Sequence, residues 1–250
     1  MRPWLARLGD QSPAPEALSR FAAERALVNA RGLPLRFAAP DTLPPANYEL
    51  RIHATGVVAT RPGNRHDLLN ALAWLAFPRT KATLNALHAE HLPRDGARRG
   101  RLRDALTLFD EGGALVAVSD LSLVPLVLEH RWKELFWDRR TDVLAGMRIA
   151  VLGHAVLEHA LDPFAGITCR VMLVPVDTRA LVEPAQALLE RLDSAAAQWL
   201  AAQPQLTPGL LPPLPVFGYP GWLDESCAEE FYADQRYFRP LRGTPLRRRA

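Results

Sequence analysis

Arg61–His91 reads RPGNRHDLLNALAWLAFPRTKATLNALHAEH, and its punctuation decides how the chain is organised around it. Pro62-Gly63 marks a turn, a run with helical spacing follows, Phe77-Pro78 breaks that run, and a second helix resumes beyond it. At 100° per residue, His66, Asn70, Trp74, Phe77, Lys81 and His88 fall near one stripe if the axis bends little at Pro78. Leu68, Leu72 and Leu75 lie on another face and supply the anchor. Three polar residue types sharing a stripe with two aromatics describe the wall of a pocket, against a structural reading in which His66 and Asn70 merely cap the helix start.

Upstream, Ser12, two prolines and Glu16 signal a helix start, with Leu18, Phe21 and Ala22 as its buried stripe. Gly32–Asn47 carries four prolines and little periodicity, which predicts a surface loop. In Tyr48–Thr55, Tyr48, Leu50, Ile52 and Ala54 alternate with Glu49, Arg51, His53 and Thr55, the pattern of a half-buried strand.

Downstream, DALTLF-DEGG-ALVAV from Asp104 to Val118 has two apolar runs around a four-residue turn, which predicts a β-hairpin with Asp110-Glu111 at its tip. Ser119-Asp120 can cap a helix whose stripe is Leu121, Val124, Leu128, Trp132 and Leu135, its regular part beginning near Pro125. Residues 143–161 admit two readings, one long helix or a strand over Arg148–Leu152 with a helix from His154. Gly153 costs a continuous helix about 1 kcal/mol relative to Ala, which favours the second. Ile167–Val176 reads as a strand, and about 180–202 as an amphipathic helix with Leu181, Leu188, Leu192 and Trp199 inward. The proline-rich TPGLLPPLPVFGYPGW is too apolar for a linker, so the segment 203–240 should wrap the domain and pack Phe217, Tyr219 and Trp222 against it. The end, 241–250, should fray. These elements sum to one α+β domain over 1–250 with its core in about 12–240. A small mixed sheet formed near 48–58, 104–118 and 167–176 is flanked by helices.

Composition sets the outer bounds. The chain of 250 residues is long enough to bury a substantial core, and 48% apolar with 23% charged residues is ordinary for a globular protein. A net charge of +3 does not imply a nucleic-acid binder. Of 30 basic residues 28 are Arg, which makes Lys81 and Lys133 stand out, because burial can tune a lysine as it cannot an arginine. Cys169 and Cys227 have no metal-type spacing and suit a reducing, cytoplasmic setting. The N-terminal residues meet charge and proline too soon for a secretory signal. The most apolar window, 143–161, contains Arg148, His154, Glu158 and His159 and so does not read as a membrane span. GxGxxG, P-loop, GxSxG and HExxH patterns are missing, which disfavours the common nucleotide-cofactor and serine-hydrolase folds.

Three further sets of residues carry chemistry. Asp110 and Glu111 are adjacent carboxylates that can bind a metal or act as a base, although two following glycines suit a plain solvated turn. His154 and Glu158, at i,i+4, project from one helix face and can share a metal or hydrogen-bond each other. Between Arg61 and Arg103, eight Arg and one Lys face three acidic residues, and five of those arginines fall within Arg94–Arg103. This is a candidate anion site with Arg101 and Arg103 as its contacts, or a solvated loop in an Arg-biased chain.

The blocks TRPGNRHDLLNALAWLAFPRTKATLNALH, RGRLRDALTLFDEGGALVAVSD, WKELFW, GHAVLEHALDPFAGITCR and LPVFGYPGW resemble those of the bacterial domain-of-unknown-function family 3025. Leu68 or Leu69 stands where that family typically has an aromatic, a departure that leaves the polar positions in place. The resemblance implies a single cytoplasmic domain and brings no assigned activity with it.

Two functional classes follow. In the first, His66, Asp67, Asn70 and Lys81 are catalytic residues on a pocket wall, and Asp110, Glu111, His154 and Glu158 hold a divalent metal ion. Arg101 and Arg103 then orient an anionic, phosphate-bearing ligand for metal-assisted hydrolysis of a phosphate ester or phosphodiester. In the second, the protein is a non-catalytic binding or scaffold protein that uses its aromatic and Arg-rich surface.

Overall fold

The computed structural model describes residues 13–95, 100–162, 164 and 166–241. Its centre is a four-stranded mixed sheet in the order β4-β3-β5-β6, formed by β3 (Gly113–Val118), β4 (Met147–Val151), β5 (Thr168–Pro175) and β6 (Pro213–Pro215). Strand β3 runs parallel to β5 and antiparallel to β4, and all six of its residues are buried. A continuous apolar run covered on both faces is what such a central strand requires.

The two faces of this sheet are packed differently. On one, Leu115, Ala117, Met172 and Val174 meet the helices α4 (Pro78–Asp95), α5 (Arg101–Gly112) and α9 (Ala185–Ala201). On the other, Val116, Val118 and Val171 meet Trp132, Phe136, Phe217, Tyr219, Tyr237 and Phe238 from the proline-rich wrap and its neighbours. Trp222 stays part-exposed but packs its ring against Phe217 and Tyr219. A third cluster joins α1 (Pro15–Glu24), β1 (Arg36–Ala38), α2 (Tyr48–Thr55), β2 (Val57–Ala59) and α3 (Arg65–Ala76) through Leu18, Phe37, Ile52, Val58, Leu72 and Trp74. The architecture is the expected α+β, a small mixed sheet flanked by helices.

Several local expectations are overturned. Tyr48–Thr55 is helix, not strand. The Asn47 side chain accepts the Glu49 N–H at 3.0 Å and the Leu50 N–H at 3.3 Å, the donors a helix start leaves open. Gly56, at φ 74°, closes the helix by donating to the Ile52 carbonyl, and a Cβ there would sit 2.3 Å from the Pro34 oxygen. Alternation misled because Leu50 is 40% exposed and Ile52 alone is fully buried. The supposed loop before it contains β1, paired in parallel with β2 as a separate two-stranded sheet.

The hairpin over 104–118 is also wrong: α5 runs into β3 directly. Ala105, Leu106 and Phe109 are fully buried at helical spacing, whereas Leu108 is exposed. Downstream, Asp120 does cap, accepting the Ser122 N–H, but what it caps is a 3-10 turn over Leu121–Leu123, and the helix that follows, α6 (Val124–Leu128), is short and has no side-chain cap. His130 turns the chain at φ 56°, so Leu121 and Leu128 are exposed and share no stripe with buried Trp132 and Leu135. Residues 143–161 follow the strand-plus-helix reading: α7 (Arg140–Gly146), β4, then α8 (His154–His159). Among the described residues no helix is long and apolar enough to cross a membrane. The helix start expected at Ser12 lies outside the described residues, as does all but the first residue of the end expected to fray, 241–250.

Candidate functional site: a buried polar seam

Helices α2, α3, α4, α5 and α8 meet along a seam of polar side chains enclosed between the third apolar cluster and the sheet. Its centre is Lys81, 3% exposed, whose Nζ donates to Asp110 Oδ1 at 2.5 Å and to Asn70 Oδ1 at 2.8 Å. The Trp74 ring lies beneath the ammonium at 5.5 Å. Asn70 in turn donates to the Tyr48 hydroxyl at 2.7 Å. One turn further along α4, Asn85 donates to Glu49 Oε2 at 2.6 Å and to the Glu49 carbonyl at 2.9 Å. His88 is buried beside the same group.

From Asp110 the seam continues outward. His154 Nδ1 lies 3.9 Å from Asp110 Oδ2, the His154 and His66 rings meet edge to face at 4.5 Å, and His66 Nδ1 lies 3.1 Å from Glu158 Oε2. His66 and Glu158 are each about 40% exposed, so this end reaches solvent while the Lys81 end does not. A glycine contact fixes the junction. A Cβ on Gly153 would lie 2.5 Å from the Glu111 carbonyl oxygen and 2.6 Å from the Gly113 nitrogen. Only the bare backbone lets α8 start hard against the end of α5, and this sets His154 beside Asp110.

Electrostatics divides the seam. Burial pushes the Asp110 carboxyl up, but the charge and hydrogen bond of Lys81, with His154 and His88, outweigh it and hold Asp110 below the usual carboxylate range. Glu49 goes the other way: burial, reinforced by the Asp110 charge, pushes it up to about 7 against the opposing Asn85, Lys81 and Arg103. Burial and the nearby Lys81 charge lower His154 to about 4, so its imidazole is neutral at pH 7. Burial also raises the Tyr48 phenol, which stays protonated. Among the buried polar atoms of the described residues without a hydrogen-bond partner in the protein are Trp74 Nε1, Asn85 Oδ1 and His154 Nδ1 of the seam. The first two residues line, with Lys81 and Asp110, a cavity of about 10 Å³, the scale of one water molecule.

The predicted residues separate accordingly. His66, Asn70, Lys81, Asp110, His154 and Glu158 come together. Asp67 does not: it accepts from the Arg61 backbone at 2.8 Å and from its guanidinium at 2.8 and 2.9 Å, turned away from the seam. Glu111 is exposed, since consecutive helix positions diverge by about 100°. Glu158 pairs with His66 while His154 faces Asp110, so the i,i+4 pair does not share a ligand. Among the described residues no group of three or more His, Cys, Asp or Glu is placed to hold a metal ion, and the four expected ligands are strung out rather than convergent. Arg101 is exposed at the start of α5, whereas the Arg103 charge reaches Glu49 inside. Arg98 and Arg99 and the Arg94 side chain lie outside the described residues. Tyr48 and Glu49 escaped the sequence reading. The signal that could have found them is the Asn47 cap, which turns both into first-turn helix residues facing Asn70 and Asn85.

The family model described as "Protein of unknown function (DUF3025)" matches residues 35–242, a span that takes in every residue of the seam. Separate comparisons with curated proteins and with solved structures find no match. The chain belongs to the DUF3025 family.

Proposed function

We propose that the seam is an acid–base site, and that the protein acts on a small polar, anionic ligand at its open His66–Glu158 end. The observation that carries this reading is the succession of neighbouring titratable groups from solvent to the interior, Glu158–His66–His154–Asp110–Lys81, hydrogen-bonded at its two ends with a ring contact and a 3.9 Å charge contact between. A neutral His154 can take a proton, the ionised Asp110 stabilises the imidazolium that results, and Lys81 keeps Asp110 ionised despite burial. Half-exposed His66 is the group placed to meet a ligand, with Glu158 orienting its ring.

Hydrolysis of a phosphate ester suits these groups with a histidine as base. The metal-assisted form is less well supported, because Lys81 already neutralises Asp110 and Glu111 points outward. The rival is a purely structural seam that clamps five helices, favoured by the small volume at the Lys81 end. Turnover of p-nitrophenyl phosphate and bis-p-nitrophenyl phosphate by the purified protein, with and without EDTA, tests the proposal together with an NMR titration of the histidines. EDTA-insensitive turnover that His66→Ala abolishes at an unchanged melting temperature supports it. Absence of turnover, with His66 and His154 resonances unmoved by inorganic phosphate, leaves the structural clamp.

A further inference from the structure

On the opposite side of α5 from the seam, a groove of about 1090 Å³ runs along the β6 edge of the sheet. Its rim carries Leu108, Leu128, Leu210 and Leu241, four of the larger apolar side chains left exposed on the molecule. Arg170, Arg236 and Arg239 line the same groove, and among the described residues no carboxylate does. Asp234 pairs with Arg236 at 2.8 Å from outside the lining. Arg170 and Arg239 each give a donor to a backbone carbonyl, Leu211 at 3.2 Å and Arg236 at 3.0 Å, and form no ion pair among the described residues. The groove therefore combines aliphatic contact with uncompensated positive charge.

The kind of occupant follows from what the groove offers. At this volume it exceeds the usual range for a drug-sized ligand and is open along its length. Of the rings that line it, Trp132 and Tyr237 are almost fully buried in the floor, the Trp132 indole N–H is spent on the Arg239 carbonyl at 2.8 Å, and half-buried His130 already stacks on Trp132 at 4.9 Å. Neither Trp132 nor Tyr237 presents a face on which a nucleic-acid base could stack. Pro213 and Pro215 remove two N–H groups from the edge strand, which weakens main-chain pairing by an added strand and leaves recognition to side chains. We propose that this groove docks an extended segment of a partner protein in which carboxylates alternate with aliphatic side chains, the arginines meeting the former and the leucine rim the latter.

Fluorescence polarisation with labelled ten-residue peptides alternating Leu with Glu, Leu with Gln, or Leu with Lys tests this on the full chain. The Glu peptide is expected to bind at least tenfold tighter than the Gln peptide, and the Lys peptide not measurably. Arg170→Glu combined with Arg239→Glu should remove the tenfold preference, and Arg20→Glu on exposed α1 should leave it intact. Because Arg170 lies in β5, a second variant, Leu210→Glu on the exposed rim, should weaken the Glu peptide at least tenfold with the far-ultraviolet spectrum unchanged. Equal binding of Glu and Gln peptides, or no saturation at millimolar peptide, would overturn the proposal. So would tighter binding of a labelled single-stranded RNA, or sedimentation showing the groove closed by a second copy of the chain.

Discussion

Thr80 and Lys81 are consecutive residues on the first turn of α4, and each looks at an aspartate, the buried Asp193 and the part-buried Asp110. Thr80 faces Asp193 of α9, which accepts the Thr80 N–H at 2.8 Å and the Arg79 N–H at 3.0 Å. Lys81 faces Asp110 of α5. Burial pushes Asp193 up, and the hydrogen bonds from Thr80 and Arg79 only partly offset this. Asp110 ends below the ordinary range because its partner carries a full charge. The same residue type, one helix position apart in what it meets, does two jobs. Asp193 satisfies orphan donors at a helix start, a stabilising role complete in itself. Asp110 belongs to a chain of titratable groups that continues to the surface.

The contrast breaks most visibly at Lys81. Lys81→Ala leaves the part-buried Asp110 without its ion partner and should cost about 3 kcal/mol, the low end for severing a buried pair because the Asp110 side chain is 21% exposed. Replacing both partners, Lys81→Met with Asp110→Leu, should cost less than either single change, because no stranded charge remains. Urea unfolding of the three variants decides it. A double variant as unstable as the sum of the singles would mean that the pair's geometry, not charge balance, holds the helices.

Next in size are two opposed pH effects. His154, lowered to about 4 from 6.5, resists protonation in the folded state only, so stability falls as pH drops from 6.5 towards 4. Glu49, raised from 4.5 to about 7, stabilises the fold below pH 4.5, and that contribution is lost as pH rises through 7. Each shift corresponds to about 3 kcal/mol at most. Between about 4.5 and 6.5 the two slopes offset one another. His154→Asn should therefore unmask a stability that falls as pH rises from about 4.5 to 6.5, and Glu49→Gln one that rises over the same interval. Thermal melts from pH 4 to 8 whose slopes have the same sign in both variants would refute the opposition.

Asp193→Ala should cost about 2 kcal/mol by stranding two backbone donors, should remove the pH dependence that its own raised carboxyl brings, and should leave the titration of His154 where it is. That independence is what separates the cap from the seam. A displaced His154 titration in this variant would show the two sites to be coupled through α4.

How much of this was legible in the sequence depends on the range of each signal. Pro78 breaks a helix by its own chemistry, so the α3–α4 bend and the shared stripe of His66, Asn70 and Lys81 could be read locally. Tyr48 and Glu49 could not: eight residues of alternation outweighed a single Asn47 cap, although the cap satisfies specific donors and alternation counts only residue types. Asp110 was singled out as a turn residue beside two glycines. Gly112 ends α5 with open space around it and Gly113 packs against the Phe109 carbonyl, so the pair marks a helix-to-strand junction and not a hairpin. Glu158 finds its partner His66 across 92 residues, a pairing that no spacing on one helix can encode.

Asp67 closes the comparison, because it shares the first turn of α3 with His66 yet belongs to neither buried carboxylate's class. Burial raises its pKa, and the hydrogen bonds and charge of Arg61 more than reverse that, leaving it below the usual range. Arg61 is largely exposed, so the pair is screened by solvent and its net worth is small. Asp67→Asn should therefore cost below about 1 kcal/mol, and less still at high salt, read by urea unfolding at low and high ionic strength. A loss of several kcal/mol that salt does not reduce would mean that the Arg61 turn is a rigid support for the start of α3 and not a solvated pair.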